Sequence, residues 1–279
     1  MSVSKEAQAL NATRWLWGTI GITSVLSSLL LMIGFVYAIM DISGLRTTEF
    51  MAEQGTKQPD SELAKEEGRI DIVAIGDSLT RGTGDQTGAG YVGRLKLQLA
   101  DATGDEVHVL NNLGVNGYRT DQLLHDLTEK PSVAETLKLA DMIVFTIGGN
   151  DLFQFALEEL DVASGQISGS ALKASLPEPS VRLGQIVEKL HTINPEALII
   201  YIGLFNPFLD LDESGEVSLA IAEWNMLAYK HVRAYPNAIM IPTADLFELH
   251  LADRLNSDHF HPNADGYERI AQRIAHVVK

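Results

Sequence analysis

The stretch RIDIVAIGDSLTRGTG, residues 69–84, decides how the chain folds. Ile70–Ile75 is short and rich in Ile, Val and Ala, as a buried strand would be. It runs straight into Gly76-Asp77-Ser78, followed by Gly82-Thr83-Gly84. A serine at a sharp strand-to-helix junction can project its hydroxyl into a crevice while backbone N–H groups face the same point. Asp and Ser are equally the residues preferred at helix N-caps. This loop alone therefore leaves a reactive serine and an ordinary cap both open. Outward from it, similar apolar runs recur at Val107–Leu110, Met142–Ile147, Ala197–Ile202 and Ala238–Ile241. Between them lie segments of helical period: YVGRLKLQLAD, TDQLLHDL, VRLGQIVEKLH and EVSLAIAEWNMLAYKHV. A last helix is expected from near Asn263, with Ile270, Ile274 and Val277 on one face. Strand alternating with helix means right-handed crossovers and an α/β domain, with a mostly parallel five-stranded sheet covered on both faces. In such sheets ligands collect outside the carboxyl ends of the strands.

The loops at those ends settle what the first one left open. After the second run comes Asn111-Asn112-Leu113-Gly114-Val115-Asn116-Gly117, after the third Gly148-Gly149-Asn150-Asp151, and near the chain end Asp258-His259-Phe260-His261. GDSL, NLGVNG, GGND and DHFH, in this order, resemble the four blocks of the GDSL, or SGNH, hydrolase superfamily. The resemblance covers residues 69–279 and implies a single three-layer, flavodoxin-like α/β/α domain. GDSLTRGTGD with GYVGRL just after it is similar to a bacterial branch of lipase/acylhydrolase-like members that carry an N-terminal membrane segment.

By the resemblance Ser78 is the nucleophile, His261 its base and Asp258 the carboxylate that orients the base. A serine hydroxyl needs such a base to attack an ester carbonyl. The same pattern makes the Ser78 and Gly117 backbone N–H groups and the Asn150 side-chain amide the donors to the oxyanion. Asp77 is expected to support the turn, and Asp151 to cap the helix beginning LFQFALEEL. His259 points away from the site if its segment is extended; a His259/His261/Asp258 metal cluster is the alternative. No metal or cofactor is expected. Apolar residues after two strands, Leu152, Phe153 and Phe155 and then Leu204, Phe205, Pro207, Phe208 and Leu209, would suit an acyl chain or would pack as a satellite core. Of these, Leu152, Phe153, Phe205 and Phe208 are the candidate substrate-binding residues. A serine esterase acting on lipid or acyl esters is the first reading. The alternatives are an O-acetyl esterase of cell-wall polysaccharide and a tethered protein that binds acyl or glycan ligands without cleaving them.

Ahead of this domain the composition changes. Trp15–Met40 is 26 residues without a charge, about 39 Å long as a helix at ~1.5 Å per residue, enough to cross a ~30 Å hydrocarbon core with tilt. Trp15, Trp17 and Tyr37 stand at its ends, where such rings favour headgroups. The expected organisation is a tail over 1–14, a transmembrane anchor over 15–40, a polar linker over 41–68 and the hydrolase domain over 69–279. Lys5 and Arg14 before the span balance Arg46 and Lys57 after it, so charge bias gives no orientation. A short tail ahead of a first hydrophobic segment favours export of the linker and hydrolase domain to the cell surface, or secretion if the chain is cut after Ala38. The chain has 37 acidic residues, 21 Lys plus Arg, no cysteine and a net charge of -16. That excludes disulfides, thiolate chemistry and Cys-bound zinc, and it argues against nucleic acid as a partner. An ester substrate and the membrane are the expected partners.

Overall fold

The computed structural model describes residues 68–158 and 169–279, together with Ser27; of 154–158 it describes the backbone. The elements run β1 (Arg69–Gly76), α1 (Ser78–Arg81), α2 (Gly90–Thr103), β2 (Glu106–Gly114), α3 (Thr120–Glu129), α4 (Pro131–Leu137), β3 (Met142–Thr146), α5 (Gly149–Glu158), α6 (Gly169–Ser175) and α7 (Pro177–Ile193). They continue with β4 (Leu198–Ile202), a 3₁₀ turn at Leu209–Leu211, α8 (Glu216–Val232), β5 (Ala238–Ile241), α9 (Ala244–Glu248), α10 (Leu251–Arg254) and α11 (Ala264–Val278). The strands pair in the order β2-β1-β3-β4-β5, and every pairing is parallel. The sheet expected to be mostly parallel is thus wholly parallel among the described residues.

Alternation along the strands builds two cores. Val73, Ile75, Ile143, Phe145, Ile199 and Tyr201 face one side, where α3, α4, α7 and α8 supply Leu123, Leu137, Ile186 and Trp224. Ile72, Ala74, Val144, Ile200 and Ile202 face the other, against Tyr91 and Leu95 of α2 and Tyr267, Ile270 and Ile274 of α11. All these side chains are buried, which is why the strands read as near-continuous apolar runs: a parallel strand is covered on both faces. The helix α8 occupies the residues its apolar period marked, and Asn263 caps α11 by accepting from the Asp265 and Gly266 N–H groups. Val277, expected on the apolar face of α11, is exposed.

From β1 the chain steps outward to β2, then returns to β3 on the other side of β1. The carboxyl ends of β1 and β3 are therefore adjacent where the connections diverge, the place where open α/β sheets form a crevice. The described α/β domain belongs to a compact unit, Lys65–Lys279. The anchor expected over Trp15–Met40 and almost all of the linker lie outside the described residues; among the described residues no helix is long and apolar enough to cross a membrane.

Candidate active site

The loop after β1 holds its shape through a close approach that glycine alone permits. Gly76 has φ 141°, and a Cβ there would lie 2.1 Å from the Thr146 carbonyl oxygen at the end of β3. Asp77 follows as the N-cap of α1: its carboxylate accepts from the Leu79 N–H at 3.1 Å and from the Thr146 hydroxyl at 2.6 Å. Thr146 in turn accepts from the Thr80 N–H, and the Thr80 hydroxyl lies 2.9 Å from the buried Tyr91 hydroxyl. Burial pushes the Asp77 carboxyl up from its ordinary value, against the lowering effect of Thr146 and Leu79. The cap and the serine are thus different residues, and Ser78 is left as the first residue of α1, where a backbone N–H has no acceptor within the helix. The cap thus falls on Asp77, one residue before Ser78.

Ser78 is 4% exposed, and its Oγ lies 2.8 Å from His261 Nε2. His261 Nδ1 lies 2.8 Å from Asp258 Oδ2. The carboxylate is an acceptor, so the ring proton belongs on Nδ1 and Nε2 is free to accept from the serine hydroxyl. Burial opposes the charge on Asp258, but bonds from the His261 ring and from the His261 and Phe260 amides outweigh it and hold the carboxyl below its ordinary value. These bonds close a turn, with His259 at φ 54° and its N–H donating to the Asn256 carbonyl. The segment is not extended. His259 is exposed on this turn. Among the described residues no three metal-ligating side chains converge.

Asn150 stands in the first turn of α5, after β3, and its Nδ2 donates to the Tyr118 carbonyl at 2.8 Å. That bond uses one of the two amide hydrogens and fixes the side chain, which lines a cleft together with Ser78. Gly117, one residue before Tyr118, sits at an exposed turn with φ 78° and does not line this cleft. Asp151 does not cap its own helix. Its carboxylate accepts from the Thr120 N–H at 2.9 Å and Oγ1 at 2.6 Å, so it holds the start of α3 instead. Burial pushes this carboxyl up, against the bonds from Thr120 and Arg182.

The cleft beside Ser78 is apolar, lined by Leu79, Phe153, Leu204, Phe205, Pro207 and Phe260, and encloses only about 20 Å³. Phe153, Phe208 and Phe260 form a cluster with ring centroids 5.3–5.8 Å apart, a spacing at which aromatic pairs attract. Phe208 packs on this cluster without lining the cleft itself, and Phe205 stacks on Phe247 at 3.8 Å. Leu152, expected among the substrate residues, is fully buried in the core and away from the cleft: on α5 it points at the sheet while its neighbour Phe153 points at Ser78. The side chain of Phe155 lies outside the described residues. Phe260 is a cleft residue that the apolar runs after the strands do not mark; its one signal in the sequence is its place beside His261, which carries it to the cleft.

Comparison with known proteins gives the family. A family model described as GDSL-like Lipase/Acylhydrolase matches residues 74–269. The chain is 31% identical over 261 residues to YpmR of Bacillus subtilis, covering 92% of this chain and 96% of that protein. It is 26% identical over 210 residues to the spore germination lipase LipC of Bacillus licheniformis, covering 74% and 94%. Among solved structures it is similar to the lipase Lip_vut3 from a goat rumen metagenome, with a TM-score of 0.66, 25% identity and coverage of 75% of this chain and 97% of that one.

Proposed function

Because the chain belongs to the GDSL-like lipase/acylhydrolase family and is a carboxylic ester hydrolase, we propose that it cleaves short-chain acyl esters through Ser78, His261 and Asp258. The observation that carries the reading is the continuous hydrogen-bonded line from Ser78 Oγ through the His261 ring to Asp258. In acylation Ser78 Oγ bonds to the ester carbonyl carbon as its proton passes to His261 Nε2. The oxyanion is held by the Ser78 N–H and the Asn150 amide, with the Gly117 N–H, outside the cleft, as the third donor that the family pattern implies. Collapse of the tetrahedral species breaks the bond to the alcohol oxygen, which takes the proton from His261. Water then repeats the sequence on the acyl-enzyme, giving the acid and restoring Ser78. Asp258, kept ionised by its bonds, stabilises the imidazolium formed in both halves.

The size of the apolar cleft supports the short acyl group. About 20 Å³ is room for a group of roughly the size of one water or methyl, since a single water needs ~10–15 Å³ on this measure. Longer chains require Phe153, Phe208 and Phe260 to part. The uncharged run Trp15–Met40 supports a single-pass anchor with the catalytic domain outside the cell, as in an anchored bacterial branch of the family. The test is hydrolysis of p-nitrophenyl esters of graded acyl length beside Ser78→Ala, with labelling by a serine-reactive phosphonate. Activity falling from acetyl towards octanoyl, abolished with the label in Ser78→Ala, is the expected result. A rate rising with chain length would return the reading to lipid esters, and an inert, unlabelled wild type would sink it.

A further inference from the structure

Just ahead of Asn150 the backbone is gripped by two side chains that do not line the cleft beside Ser78. The Tyr201 hydroxyl, on β4, donates to the Ile147 carbonyl at 3.0 Å, and the Trp224 indole N–H, on α8, donates to that hydroxyl at 2.9 Å. Ile147, Tyr201 and Trp224 are all fully buried. The Trp224 ring also fills the space beside the next residue, since a Cβ on Gly148 would lie 2.1 Å from Trp224 Cζ2. From this arrangement we infer that Tyr201 and Trp224 are positioning residues for Asn150, setting the loop that carries its amide to the oxyanion. The inference rests on the reading of Asn150 as an oxyanion donor and adds what holds that donor in place.

The bonding roles make this a chain with one direction. An indole N–H can only donate, so the tyrosine oxygen accepts from it and the tyrosine's own hydrogen goes to the Ile147 carbonyl. Both groups sit among apolar side chains such as Phe145, Ile199 and Ile221. There a hydroxyl or N–H without a partner is costly, and bonds in series strengthen one another. A phenylalanine at either place would fill the core without those demands. The polar pair thus does more than fill space: it fixes the plane of the peptide between Ile147 and Gly148.

That plane is the last fixed point of β3 before the site. Gly148 follows with φ 108°, a conformation that disfavours any other residue, and its carbonyl accepts from the Leu152 N–H to start α5. Asn150 stands in this first turn. Its side chain is tied from the other side, Nδ2 donating to the Tyr118 carbonyl. With the loop held by Tyr201 and Trp224 and the amide held by Tyr118, the donor is set before substrate arrives, which is the condition for oxyanion stabilisation without reorganisation. Loosening the Ile147 carbonyl would let the turn shift by a fraction of an ångström while the core stays filled.

The test is a double-mutant cycle in the full chain, with kcat and KM for p-nitrophenyl acetate and a thermal scan for each variant. Tyr201→Phe keeps the ring and deletes the hydroxyl. It should lower kcat ~10–100-fold with KM within about twofold, the scale of a misplacement of up to 1 Å in a reacting group. In the Asn150→Ala background the same change should cost almost nothing further, because a residue that acts through Asn150 has nothing left to position. Trp224→Phe, which deletes the indole N–H, carries the same cycle independently. Asn194→Ala is the control for general loosening: its buried amide holds the Leu137 and Ala140 carbonyls ahead of β3, so it should lower the melting temperature and leave kcat unchanged. A loss below tenfold in Tyr201→Phe, a loss equally large in the Asn150→Ala background, or a matching fall of kcat in Asn194→Ala would each overturn the positioning role and leave the oxyanion reading standing. A loss below tenfold in Asn150→Ala itself would overturn both.

Discussion

At the scale of single residues, the site works because neighbouring polar groups are given different tasks by different surroundings. Asp77 and Ser78 are adjacent, yet one is committed to the Leu79 amide and the Thr146 hydroxyl while the other faces His261. Asn150 lines the cleft and spends one of its two amide hydrogens on the Tyr118 carbonyl. Replacing it with Ala removes a donor without opening the core, since Asn150 is only half-buried. Asn150→Ala should therefore lower kcat ~100–1,000-fold with little change in melting temperature, measured by steady-state kinetics beside a thermal scan; a fall below tenfold would remove Asn150 from the oxyanion site. Asp77 carries a pH prediction. Its folded carboxyl is raised from an ordinary 3.8 by burial, so the protonated form is favoured in the folded state. The stability this lends is complete below 3.8 and is lost as pH rises through the raised folded value. Asp77→Asn, which stays neutral and retains an acceptor for Thr146, should raise the melting temperature relative to wild type at pH 7, with the difference shrinking towards pH 4. A pH-independent difference would show that the bonds from Thr146 and Leu79 dominate over burial.

At the scale of elements, His261 is placed by packing between two loops that are remote in sequence. The loop after α1 lies against the His261 turn so closely that a Cβ on Gly84 would sit 2.8 Å from the His261 Cβ and 2.6 Å from the Pro262 carbonyl oxygen. Gly84 also has φ 95°, which disfavours any other residue. This loop is held from inside: the buried Asp85 carboxylate accepts from the Thr87 and Gly90 amides and pairs with Arg94, while the Tyr267 hydroxyl donates to the Thr83 carbonyl at 2.6 Å. An added methyl at Gly84 must therefore push the His261 turn rather than the loop. Gly84→Ala should cost ~100-fold in kcat, the scale of a 1 Å misplacement of a reacting group. Gly104→Ala has a similar φ of 80° but meets nothing within 4 Å; it should cost stability alone, ~1 kcal/mol. Equal kinetic losses in both variants would mean backbone strain, not displacement of His261, is responsible.

At the scale of the molecule, both faces of the sheet are covered by helices of the same unit, Lys65–Lys279. Among the described residues both faces are covered without the chain before Gly68. A chain beginning at Gly68 should unfold in a single cooperative transition and hydrolyse p-nitrophenyl acetate at the full-length rate, while the full chain alone partitions into the membrane fraction. Loss of folding in the shortened chain would assign a structural role to residues 1–67. The charge is divided in the same way: residues 1–42 hold Lys5, Arg14, Glu6 and Asp41 and are neutral, so the whole -16 belongs to residues 43–279. A body this acidic is repelled by anionic headgroups.

Local sequence determined the strands, the long helices and the four polar loops, because a parallel strand buried on both faces and an amphipathic helix each impose a period that survives in a single chain. The Asp258–His261 pairing came from the family resemblance, and three residues of turn suffice to join them. Local sequence misjudged Leu152 and the partner of Asp151. Leu152 and Phe153 are adjacent and both apolar, and only the packing of α5 on the sheet sends one to the core and the other to the cleft. Asp151 finds Thr120, 31 residues away, because β1 separates β2 from β3 by a single strand. Residue type and spacing record what a segment does by itself; which side chains meet across the sheet is decided by strand order, and no local pattern encodes it.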